Sequence, residues 1–211
     1  MEETFTYARP VTAVATIRDR WGETRGTLEN DGQLLRLEFR GNRYEGRSPD
    51  SLELVGAPAP TGQPPETDRF NELREYVLTW DTPVDVRSGG EVTKVPLTVR
   101  FTRTDGDYGV SLSLALPNGE VTTGQLRDLE SALLDLRNSA GLGGAVVQAC
   151  ATCALSEYSP AGFGFMGDLA CFRDSKAEIR SARGKEDLFA LWEARAGFVQ
   201  ETFSCPEFEQ R

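Results

Sequence analysis

Through much of the first two thirds of the chain, apolar positions alternate with polar ones, the period of a sheet with one dry face and one wet face. Leu35, Leu37 and Phe39 alternate with Arg36, Glu38 and Arg40. Val11, Ala13, Ala15 and Ile17 point one way before them, and Asn30-Asp31-Gly32 supplies a hairpin turn because Asn, Asp and Gly tolerate positive φ. A short strand is predicted near 51–55. Strand character resumes over 73–80, 92–103 and 108–116, with Asp105-Gly106 and Asn118-Gly119 as turns. Thr122-Thr123-Gly124-Gln125 reads as a capping box opening a helix over 124–138, with Leu126, Leu129, Leu133 and Leu136 on one face. A second helix is predicted near 185–196, its face Leu188, Leu191, Trp192 and the stem of Arg195. Trp21, Trp80 and Trp192 read as core anchors.

Between Gly56 and Asp68 the pattern breaks. Pro58, Pro60, Pro64 and Pro65 can supply neither ladder donors nor a core face. The chain therefore divides into an antiparallel β segment over 1–56, a proline-rich loop or linker over 57–69, a β-meander with a helix over 70–140 that belongs to one body with 1–56, and a C-terminal module over 141–211. The fold class expected is α+β: an antiparallel β-rich body, a covering helix and a C-terminal four-cysteine zinc-binding module.

Composition narrows the chemistry. Thirty-three Asp and Glu against 23 Lys and Arg give a net charge of -10 over 211 residues, which disfavours a general nucleic-acid binder, since counterion release needs a basic face. Histidine is absent, which removes imidazole ligands and Ser-His-Asp or Cys-His catalysis. The acidic start of the chain lacks a secretory pattern and no stretch is apolar enough to span a membrane. A cytoplasmic location is expected, where thiols stay reduced.

All four cysteines fall in the last third: Cys150, Cys153, Cys171 and Cys205. Cys150-Ala-Thr-Cys153 is the spacing with which one backbone turn presents two thiolates to a tetrahedral ion. Four thiolates suit zinc, leave no open position, and so predict a structural Zn2+ site. The alternatives are an iron–sulfur cluster, which takes the same ligands, buried core thiols at Cys171 and Cys205, and a redox pair or disulfides. Gly162 to Gly167 matches G-x-G-x-x-G but lacks the flanking strand and helix of a dinucleotide site. Phe163, Phe165 and Met166 in that loop read either as a roof over the metal or, with Tyr158, as a partner-binding tip. Asp168, Asp174 and Lys176 evoke a nuclease set at too short a spacing, and surface salt-bridging is the better account.

Cys150-Ala-Thr-Cys153, then Ser156 to Gly162, Gly167-Asp168-Leu169-Ala170-Cys171-Phe172-Arg173, and Gln200 to Phe208 together resemble the C-terminal block of an uncharacterised family of bacterial proteins. The resemblance covers about the last sixty residues and implies a shared metal site that includes Tyr158 and the glycine loop; it implies no activity. The leading expectation is a non-enzymatic interaction or accessory protein whose partner is another protein. Two other classes stand beside it: a nucleic-acid-associated factor using an Arg-lined surface and the glycine-aromatic loop, and an enzyme with carboxylates such as Glu157 or Glu201 in a cleft between body and module.

Overall fold

The computed structural model describes residues 10–60, 63, 65–162, 166–167 and 169–211. Strands β1 (Val11–Asp19), β2 (Gly22–Asn30), β3 (Leu35–Phe39), β4 (Asn42–Gly46), β5 (Glu53–Leu54), β6 (Tyr76–Ser88), β7 (Glu91–Thr104), β8 (Asp107–Leu116) and β9 (Gly119–Thr122) form one antiparallel sheet in the order β5-β4-β3-β2-β1-β6-β7-β8-β9. A tenth strand, β10 (Val146–Gln148), also pairs with β6. The strands on either side of the proline-rich stretch are direct neighbours, with Ile17 opposite Leu78 and Ala15 opposite Trp80.

The alternating pattern explains the core. Ile17, Leu35, Leu37, Leu78, Leu97, Phe101 and Leu114 are all fully buried on one face, and each such side chain contributes about 1.5–3 kcal/mol by leaving water. The β3–β4 turn is Arg40-Gly41, both at positive φ (49° and 72°), the conformation of a two-residue hairpin turn whose twist matches its strands. Arg40 occupies this uncommon conformation while its guanidinium donates to Asp19 at 2.6 and 3.1 Å, a bidentate pair with side chains 8% and 4% exposed.

Helix α1 (Leu129–Asn138) covers the sheet through Leu129, Ala132, Leu133 and Leu136. It begins later than the sequence pattern predicts. Thr123 and Leu126 hydrogen-bond along β8, Leu126 exchanging both backbone bonds with Val110, and the N-cap is Asp128, whose carboxylate accepts the Ser131 N–H at 2.7 Å. Strands β2 and β4 were not evident in the pattern, and β6 runs eight residues past Trp80. In β2 only Leu28 is a buried apolar side chain, so no period shows. Trp21 is 43% exposed at the β1–β2 turn under the Arg20 guanidinium, a correction to its expected core role, whereas Trp80 and Trp192 are buried.

The C-terminal module holds a small sheet of β11 (Ser156–Tyr158), β12 (Leu169–Cys171) and β13 (Gly197–Phe198), in that order. Two short helices, α2 (Lys176–Ser181) and α3 (Lys185–Leu191), flank it; α3 and the turn after it carry the expected Leu188, Leu191 and Trp192 face. A separate core of Cys153, Leu155, Ala170, Phe172, Ile179, Trp192 and Phe198 fills the module, with the Arg195 guanidinium over both Trp192 and Phe198. Among the described residues no helix is long and apolar enough to cross a membrane.

Candidate metal centre

The cysteines reach the site from three local structures. Cys150 opens a single 3-10 turn, Cys150–Thr152, which closes when the Cys153 N–H donates to Cys150 O at 3.0 Å. The small Ala151 and Thr152 are fully buried inside the turn, which explains why bulkier residues would not serve there. Cys171 ends β12, and Cys205 lies on the extended C-terminal segment. All four side chains line one small pocket, together with Leu155, Ser156, Arg173, Glu207 and Phe208. None is in a disulfide; Cys150, Cys153 and Cys171 are buried and Cys205 is partly exposed. As placed, no three Cys, Asp or Glu side chains among the described residues are gathered as ligands of a single ion.

Two sulfurs accept backbone amides from the residue two positions on. Leu155 N–H donates to Cys153 Sγ at 3.4 Å, and Arg173 N–H faces Cys171 Sγ. Burial pushes the Cys150 thiol well above its ordinary range, and the neighbouring sulfurs and the Glu201 carboxylate push the same way. Burial also raises Cys171, opposed by the Arg173 N–H and guanidinium. Cys150 and Cys171 are thereby favoured in the neutral thiol form.

The C-terminal segment is tied to the Cys150 turn by backbone hydrogen bonds. Cys150 N–H donates to Phe203 O at 2.6 Å, Ala151 N–H to Glu201 O at 3.0 Å, Ala154 N–H to Glu209 O at 2.7 Å and Arg211 N–H to Thr152 O at 3.3 Å. The Arg211 guanidinium adds an ion pair to Glu157 at 2.8 Å.

The other expected residues separate. Tyr158 lies in β11 only 6% exposed and packs in the main core, so it offers a partner little surface. Phe163 and Phe165 lie outside the described residues, as do Gly164 and Asp168. Met166 is buried against the main body. Lys176 pairs with Glu207 and Glu209, in keeping with salt-bridging at the surface. Of the two acids singled out, Glu201 is fully buried and accepts the Gly167 N–H, while Glu157 is held by Arg211. Arg173 and Glu207 were missed; their only sequence signal is that each stands two residues after a cysteine.

Comparison with curated proteins and with solved structures gives no match. A family match covers residues 12–156, the β body through the Cys150–Cys153 turn, and stops before Cys171 and Cys205, so it falls mostly outside the block on which the sequence resemblance rests. Because the match takes in more than half of the 211 residues, the chain belongs to the family of unknown function DUF6304.

Proposed function

We propose that the protein is a non-enzymatic interaction or accessory factor of the reducing cytoplasm, whose Cys150, Cys153, Cys171 and Cys205 hold one structural zinc ion and whose partner is another protein. The observation that carries this reading is that every cysteine of the chain, from Cys150 to Cys205, lines the same pocket without any disulfide. The amides facing Cys153 and Cys171 support it, because such second-layer donors stabilise thiolates around a metal. The module's own core supports it too. Among the described residues of 141–211, seven form that core while others such as Tyr158, Met166 and Leu169 pack into the body's cluster, and small cores are commonly completed by a metal or by disulfides. When bound, zinc would add folding energy and hold the four segments together, with no coordination position left for substrate. The net charge of -10 argues against a polyanionic partner.

The test is metal analysis of protein purified without added metal. One zinc per chain is expected, falling below about 0.2 per chain in Cys150→Ser, Cys153→Ser, Cys171→Ser and Cys205→Ser alike. Zinc retained in full by Cys205→Ser, or a brown iron-bearing protein, would replace the assignment.

A further inference from the structure

Strand β6 changes neighbours partway along its length. Its first half pairs with β1 through Trp80, and its second half pairs with β10 from Asp85 onward. Residues 81–84 lie between these ladders, and Pro83 there has no N–H to offer. A cleft of about 560 Å³ opens at this gap, bounded by the start of β1, by β6 and β7, and by segment 196–204. That volume is in the range of small-ligand sites, roughly 300–1,000 Å³.

The lining divides by chemistry. Val11, Pro83, Phe198 and Phe203 supply apolar surface. The charged lining groups are Asp85, Lys94 and Arg173. Asp85 is already committed, accepting from Lys94 Nζ at 2.6 Å and from Ser204 Oγ. Lys94 has two further ammonium protons beyond that bond and is 72% exposed. The Arg173 guanidinium, near Cys171 and Glu207, makes no hydrogen bond to a described residue. Among the described residues, one carboxylate against two cations leaves the lining one positive charge on a chain whose net charge is -10. A cationic ligand would meet like charge, whereas an anionic head would gain charge-assisted hydrogen bonds while its body covers the apolar wall.

We infer that this cleft binds a small organic monoanion, a carboxylate with an apolar body, its head toward Lys94 and Arg173 and its body over Val11, Pro83, Phe198 and Phe203. Arg173 borders the thiol pocket as well as the cleft, whereas Lys94 borders the cleft alone, so Lys94→Met reads the inference independently of the metal reading.

Isothermal titration of the intact protein with octanoate, octanol and octylammonium tests it. Octanoate is expected to saturate at one per chain and to bind at least tenfold more tightly than octylammonium. Lys94→Met and Arg173→Met should each weaken octanoate about tenfold and leave octanol unchanged, and Phe203→Leu should weaken octanoate and octanol alike. Because Lys94 is largely exposed, its variant should fold, as an unchanged circular dichroism spectrum would verify. Absence of saturable octanoate binding, equal binding of octylammonium, or octanoate affinity unmoved in both Lys94→Met and Arg173→Met would each overturn the inference.

Discussion

The two regions of this chain reach order by different means. The body is held by long ladders and one large core: β6 and β7 pair without interruption from Tyr76–Arg103 to Ser88–Glu91, and among the described residues 33 buried ones form a single cluster, eight of them contributed by 141–211. The module pairs three residues between β11 and β12 and two between β12 and β13, around a cluster of seven. Apolar burial accumulates with shared surface, so the body can order itself, while the module leans on backbone bonds to its neighbours, on Arg211 and on the thiol pocket. The Cys150–Cys153 turn belongs to both, since Cys150 packs in the large cluster and Cys153 in the small one.

The largest test of this contrast removes one aromatic from each core. Phe101→Ala and Phe172→Ala should each cost about 3–5 kcal/mol locally, the usual loss on emptying a phenyl site. In Phe101→Ala the loss should appear as lower global stability in denaturant and lower amide-exchange protection throughout β6–β8. In Phe172→Ala protection should fall in β11–β13 and remain high in β7. Equal loss in β7 for both would show that the chain opens as one unit and would end the distinction.

Asp128→Ala gives a medium effect. Removing the carboxylate that accepts the Ser131 N–H should cost about 1 kcal/mol by thermal or chemical denaturation, within the body alone. A variant as stable as the parent would mean that α1 is positioned by its leucine face without help from the cap.

The smallest effect concerns the seam between the regions, where Asp85 meets Ser204. Burial pushes Asp85 upward, but the hydrogen bonds from Lys94 and Ser204 outweigh it and hold the carboxyl below its usual range. A carboxyl depressed in the folded state adds stability above its unfolded pKa of about 3.9, and that stability is lost as pH falls through the folded value. Amide exchange in β10 and at Phe203 should therefore quicken below about pH 4, by less than ~1 kcal/mol because Lys94 is exposed and screened. Asp85→Asn should abolish that acid dependence; if it persists, another group controls the seam.

Much of the body was legible because its strands alternate cleanly, as Leu35, Leu37 and Phe39 do, and because glycine turns punctuate the meander. Strand β2 was not, since its inward positions are Thr24, Gly26, Leu28 and Asn30, of which Leu28 alone is a large apolar side chain, and only pairing with β1 and β3 makes it a strand. The helix start was misplaced because Leu126 fits helical spacing equally well but is claimed by Val110 across the sheet. The cysteines were legible as a set by residue type. Arg173 was not, because its place beside the thiols follows from chain path, and the cleft arises from a change of strand partner that no local pattern records.

The sheet also has a bearing on self-association. Its longest strands lie inside, while the two ends of its main strand order are β5 with two residues and β9 with four. Asn71 and Leu73 already occupy β5's outer bonds through Leu54 N–H to Asn71 O and Leu73 N–H to Leu52 O, and the turn at 140–142 lies along β9, where Asn118 Nδ2 donates to Gly141 O at 3.5 Å. An incoming strand from a second copy would find the β5 border already bonded and only four residues of β9 to pair with, which limits the edge-to-edge stacking that broad β-sheets otherwise invite.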